Sequence, residues 1–284
     1  MLISDTLRQK LRKPGKYAQA VLRWRKLTFN DVPPIFGNAK PKSGSHLLLQ
    51  VLNGLCQVAP YAYTSSLPIR TITSEGRTRS EAEILSDLQA IPPREIGWGY
   101  LAPTQANIKF LCQEGRVNYF IYRDPRDVLV SHVFFATDMH TGHGMHEYYK
   151  SLPDFDARLK VAIQGIEQDG LVLSSTYKRS LSILKWLAEP HVMCIRFEDL
   201  INDRDRSLLA MLDEIEKTGY QIPTPREKAL KILIEAINPK KSHTFRSGKT
   251  GGWMNHFSEG NKELFKEVAG DLLVQLGYEK DNNW

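Results

Sequence analysis

Three short polar loops hold the residues of this chain best suited to chemistry. The first, Lys40-Pro41-Lys42-Ser43-Gly44-Ser45-His46, sets lysines among residues of little side-chain bulk. Such a loop lets consecutive backbone N–H groups approach an oxyanion at the start of a following helix, while Lys42 adds a mobile positive charge. The second, Tyr122-Arg123-Asp124-Pro125-Arg126-Asp127, follows the apolar run Asn118–Ile121. The third, Phe245-Arg246-Ser247-Gly248-Lys249-Thr250-Gly251-Gly252-Trp253, stands near the C-terminus. One cationic loop of this kind is weak support for a site; three in one chain describe a ligand with phosphates at two ends.

The elements between these loops are those of an α/β protein. Val32 to Gly37 reads as a buried strand entering the first loop, with a helix beginning near Leu47 behind it. Residues 61–94 lack a sustained period and carry Arg70, Arg77, Arg79 and Arg94, so a loop with one helix around Ser80–Ala90 is predicted there, of the kind that forms a substrate mouth. Strands are predicted over Glu95–Leu101, Asn118–Tyr122 and Val192–Phe197. Helices are predicted over Thr104–Cys112, Ser175–Leu187, Arg206–Lys217 and Ser258–Leu276. Strands alternating with helices imply one α/β domain, a central parallel sheet flanked by helices, with ligands beyond the carboxyl ends of the strands. Asp124 and Pro125 have the types that open a helix. Trp186, Phe197 and Leu200 fall at core positions.

The three loops resemble those of the sulfotransferases that use 3′-phosphoadenosine-5′-phosphosulfate (PAPS) and release adenosine 3′,5′-bisphosphate (PAP). The resemblance runs over roughly residues 33–260 and implies their P-loop-like fold. It implies that Lys42, Ser43, Gly44, Ser45 and His46 bind the donor's 5′ end, that Leu47 stands where animal members stack a tryptophan on the adenine, and that Lys42 stabilises the leaving group. Arg123 and Ser131 would grip the 3′-phosphate, and Arg246, Ser247 and Gly248 would complete the donor site, followed by Gly251, Trp253 and Phe257 of the same motif. A bidentate arginine beside a serine hydroxyl suits a phosphate. The first loop is not that of a nucleotide triphosphatase, because no Lys-Ser/Thr pair follows Gly44.

The pattern departs from the family at the general base. Tyr100 falls where most members carry a histidine, and a phenol with an ordinary pKa near 10 is a poor base at neutral pH. Tyr100 orients the acceptor, or another group takes the proton; His140 and His143 are the candidates. His140-x-x-His143-x-x-His146 invites a zinc reading, but Gly142 and Gly144 interrupt the helix that would align the ligands, and no metal is expected. A kinase of related fold, or a PAPS- or PAP-binding protein weakened in catalysis, is the alternative.

The 284 residues carry a formal charge of +6, yet residues 1–30 hold eight Lys/Arg against Asp5, so the body is near neutral and nucleic acid is not an expected partner. Residues 1–30 are read as a basic arm and 31–284 as the sulfotransferase domain. No apolar run approaches the ~18 residues of a membrane span. Cys56, Cys112 and Cys194, odd in number and set among apolar neighbours, are read as reduced buried thiols. A cytoplasmic enzyme acting on a small-molecule acceptor is expected, the acceptor a polar secondary metabolite such as an alkaloid. The dimer motif of animal members is poorly matched, and oligomeric state is left open.

Overall fold

Helices and buried strands alternate along the first half of the chain. In the computed structural model, which describes residues 5–26, 29–65, 67–73, 77–241 and 248–284, helix α1 (Asp5–Trp24) precedes strand β1 (Ile35–Ala39). Helix α2 (Ser45–Val58) follows, then the two-residue strands β2 (Tyr63–Thr64) and β3 (Ile69–Arg70) and helix α3 (Glu81–Gln89). Strand β4 (Glu95–Tyr100), helix α4 (Gln105–Leu111) and strand β5 (Val117–Tyr122) complete this stretch. Next come α5 (Pro125–Phe134), a π-helical turn (Phe135–Met139), α6 (His146–Ser151) and α7 (Phe155–Gln164). A hairpin of β6 (Ile166–Gln168) and β7 (Leu171–Leu173) leads to α8 (Thr176–Leu187). The chain closes through β8 (Met193–Arg196), α9 (Phe197–Asn202), α10 (Arg204–Glu216), α11 (Arg226–Ala236), α12 (Glu259–Ala269) and α13 (Leu272–Gln275).

These elements belong to two compact units, Met1–Ile121 with Glu189–Lys241 and Tyr122–Ala188 with Ser242–Trp284. In the first, the sheet runs β2-β4-β1-β5-β8, and β3 also pairs with β4. The pairings of β1 with β4 and β5, and of β4 with β2 and β3, are parallel, as buried strands joined by helical crossovers must be. All five residues of β1 are buried. Leu48, Leu52 and Leu55 of α2 pack with Ile96, Tyr119 and Ile121 of the sheet and with Leu233 of α11. In the second unit α5 packs on α7, and α12 on α7 and α8. The Asp156 carboxylate of α7 accepts from Ser258 Oγ and Asn261 Nδ2, both at 2.6 Å, tying the start of α12 down.

The α/β class and the central parallel sheet are as expected, and Trp186, Phe197 and Leu200 are buried. Several boundaries differ. The first strand begins at Ile35, and the last predicted strand ends at Arg196, with Phe197 opening helix α9. The helix predicted from Ser258 to Leu276 stops at Ala269, where Gly270 turns the chain, and resumes as α13. Residues 61–94 contain β2 and β3, two strands too short to leave a period. The three cysteines are unbridged, but only Cys56 is fully buried; Cys112 and Cys194 are half-buried. Burial pushes the Cys56 thiol up to about 11 and that of Cys194 to about 12, so neither is nucleophilic at neutral pH. Among the described residues no helix is long and apolar enough to cross a membrane.

Strand β3 lies so close to β4 that a Cβ at Gly99 would strike the carbonyl oxygen of Ile69. Backbone cannot yield as a flexible side chain can. Gly99→Ala is therefore expected to destabilise the fold by about 1–3 kcal/mol in denaturant titration, through displacement of β3. A wild-type midpoint would mean that β3 is not fixed by this contact.

Candidate active site

In the first unit, a turn and a helix start build the first of the three loops. Ser43 N–H donates to the Lys40 carbonyl at 3.2 Å, and Lys42, inside that turn, has φ 67, a conformation costly for a lysine. Gly44 follows at φ 95 as the N-cap of α2, and a Cβ there would meet the Phe197 ring at 2.5 Å. Only glycine meets both demands. No side chain caps the amino end of α2, so its first N–H groups suit an anion, helped by the helix dipole. Ser43 is wholly buried and its hydroxyl has no hydrogen-bond partner among the described residues. An orphaned hydroxyl beside uncapped amides and a lysine fits an oxyanion such as a phosphosulfate. His46 is half-buried, and Leu47 packs on the core.

Asn38, which the sequence reading passed over, fixes this loop. Its buried side chain donates from Nδ2 to the Leu101 carbonyl at 3.3 Å, and its Oδ1 accepts from Leu101 N–H at 2.8 Å and Ala39 N–H at 3.0 Å. The carboxyl ends of β1 and β4 are thereby clamped. An asparagine in the otherwise small and apolar strand Ile-Phe-Gly-Asn-Ala was the available signal, since a buried carboxamide must find partners. Tyr100, the last residue of β4, donates its hydroxyl to Ser45 Oγ at 3.0 Å. The phenol thus touches the first loop.

In the second unit, Asp127 organises the other two motifs. Arg123 Nη2 donates to Asp127 Oδ2 at 3.1 Å and to the Lys249 carbonyl at 2.9 Å. The same carboxylate accepts the backbone N–H of Gly251 at 3.0 Å and of Trp253 at 2.8 Å. Ser131 lies one turn after Asp127 on the same side of α5. Asp124 caps α5 by accepting from Arg126 N–H at 2.9 Å, with Pro125 at the first turn, as expected. Arg126 forks onto Asp124, reaches Glu279 at 2.6 Å, and stacks on Trp253 at 3.8 Å and Trp284 at 4.6 Å. Burial raises the Asp124 carboxyl, and the Arg126 pair opposes it.

Gly248 opens the described part of its loop at φ 60; Arg246 and Ser247 lie outside the described residues. His140 is exposed and packs against Phe135 at 5.4 Å, with His143 at 6.3 Å. His143 Nδ1 accepts from Met145 N–H at 3.1 Å, and His146 Nδ1 lies 2.8 Å from the Ala136 carbonyl. These rings serve a turn. Among the described residues no group of three side chains is placed to hold a metal.

A family model of the sulfotransferase domain matches residues 119–277, more than half of the chain. The chain belongs to the sulfotransferase family. It is 24% identical over 195 residues to sulfotransferase 6B1 of Danio rerio, covering 66% of this chain and 61% of that relative, less than two thirds of its length. A mouse sulfotransferase solved in complex with PAP superposes with a TM-score of 0.59 at 20% identity over 87% of each chain. Retinol dehydratase, solved with androsterone and the inactive cofactor PAP, gives 0.54 at 14% identity over 85% of this chain and 80% of that one. At such identities the likeness to the two solved structures is one of fold.

If Asp127 positions Arg123 and the Gly251–Trp253 backbone for a 3′-phosphate, Asp127→Asn will lower PAP affinity about ten- to hundredfold, the loss of one charge-assisted bond. Affinity for 5′-AMP will be unchanged. Calorimetry with both nucleotides checks this, and equal losses would reduce Asp127 to a residue of general stability.

Proposed function

We propose that this chain moves a sulfonate group from PAPS to a hydroxyl or amine of a small molecule, of the kind made in secondary metabolism, with PAP as the second product. The observation that carries the reading is the donor loop: a buried, unpartnered Ser43 hydroxyl, an uncapped helix start at Gly44 and Lys42 in the same turn. When bound, the donor supplies an activated sulfonate, whose bond to the bisphosphate oxygen breaks as the acceptor oxygen or nitrogen bonds to sulfur and sheds its proton.

The residues of the chain then have distinct tasks. Lys42, Ser43 and the N–H groups at the start of α2 hold the 5′ end and balance charge on the leaving oxygen, a role for preorganised donors. In the second unit Arg123, held by Asp127, takes the 3′-phosphate with Ser131, and Gly248 brings backbone to it. Arg246 and Ser247 take their part here from the motif alone. Tyr100, whose proton is given to Ser45 Oγ, keeps lone pairs on its oxygen to accept from an acceptor hydroxyl or amine and orient it. This makes Tyr100 an orienting group. The unbridged thiols support a reducing, cytoplasmic setting.

Calorimetric titration tests the reading most directly. PAP should bind about ten- to hundredfold more tightly than 5′-AMP, and Arg123→Ala should erase that preference, since each charge-assisted phosphate bond contributes on the order of 1.5–3 kcal/mol. Lys42→Met should keep PAP binding within reach of measurement while lowering turnover about 100-fold or more, as loss of a transition-state charge partner does. Equal affinity for ATP and PAP would overturn the assignment in favour of a kinase. PAP binding without transfer to any acceptor would leave a binding protein.

A further inference from the structure

Four arginines lie in the excursion between α2 and β4: two pair with carboxylates and two lie over aromatic rings. Arg77 forks onto Glu83 at 2.8 and 3.0 Å, and the two, with Ser80, hold that carboxyl down near 2. Arg79 pairs with Asp87 at 2.7 Å, and Arg94 lies over the Tyr17 ring at 5.4 Å. Arg70 differs. It is exposed, pairs with no carboxylate among the described residues, and stands with its guanidinium 5.9 Å from the centre of the Tyr100 ring.

That placement is set by the backbone. Strand β3 pairs in parallel with β4 so that Arg70 sits opposite Tyr100 in register. Thr71 Oγ1 donates to the Tyr100 carbonyl at 3.1 Å, and Arg79 Nη1 donates to the Arg70 carbonyl at 3.4 Å, so the residue is held on both sides. The close approach at Gly99 leaves β3 no room to slip. Arg70 therefore marks the carboxyl end of two parallel strands, the end at which α/β sheets take their ligands. A line of contact runs from the first loop through Ser45 to the Tyr100 hydroxyl, and from the Tyr100 ring to a cation with no carboxylate partner among the described residues.

Resting on the sulfotransferase reading, we infer that the acceptor carries a carboxylate, which Arg70 pairs while the acceptor's hydroxyl or amine lies against Tyr100. Arg70 is then the residue that sets acceptor class. A guanidinium selects a planar carboxylate by paired N–H donors and repels a cation. An alkaloid that carries a positive charge is disfavoured at this position.

The test uses the full chain saturated with PAP and a panel of phenols, alcohols and amines, each supplied as the carboxylate, the carboxamide and the ammonium form; 4-hydroxyphenylacetate, its amide and tyramine make one set. Calorimetric affinity and, with PAPS, kcat/KM are both read. Wild type should favour the carboxylates over their amides about ten- to hundredfold, the worth of one charge-assisted pair. Arg70→Gln should level that ratio, and Arg70→Glu should reverse it toward the ammonium forms, while PAP affinity stays at the wild-type value in both. No carboxylate preference in wild type, or a preference that survives Arg70→Gln, overturns the inference and leaves the donor reading standing. Failure of the wild type to bind PAP overturns the donor reading and the inference together.

Discussion

A single buried carboxamide bears on everything in the first unit. Asn38 lies in the middle of a parallel sheet where no water can satisfy it, so it must place its polar atoms on backbone. Its two partners, Ala39 and Leu101, are the places where β1 ends and where β4 has just ended. The clamp therefore fixes the departure points of two chain segments at once. The first becomes the turn of Lys42, Ser43 and Gly44, whose left-handed residues bring main-chain N–H groups to one place. The second carries Tyr100, and through β3 it carries Arg70 as well. The first loop and the end of β4 thus share one anchoring hydrogen-bond network.

The second unit solves a similar problem with a charge. Asp127 is nearly inaccessible, and a buried carboxylate is tolerated only when its lone pairs are well used. It uses them on one guanidinium and two amides, so the arginine of one motif and the glycine loop of another have a common reference point. Arg126, stacked between Trp253 and Trp284 and forked onto Asp124, holds the outer side of the same loop. Cation–π contact and ion pairing act together there, and neither would order a glycine-rich segment alone.

How much of this was legible in the sequence depends on range. The start of α5 was, because capping by Asp124 and Pro125 is a local matter. So were the main strands, whose apolar runs are long enough to be seen, and the glycine turn that opens α2. Strands β2 and β3 were not, since two residues make no period and their pairing with β4 is decided by tertiary packing. Arg70 accordingly read as one basic residue among several. The role of Asp127 was not legible, because two of its three partners stand more than a hundred residues away. The break at Gly270 lay in plain sight, but a strong apolar spacing on both sides concealed it.

The partners chosen by Asp127 bear on how this family tolerates change. A carboxylate that grips main-chain N–H groups at positions 251 and 253 places no demand on the side chains there beyond room to fit. The demands on those two positions come from elsewhere: φ 70 ties position 251 to glycine, and the ring of Trp253 carries the Arg126 guanidinium. The acid therefore sets the path of the main chain, and the conformation and stacking set the letters.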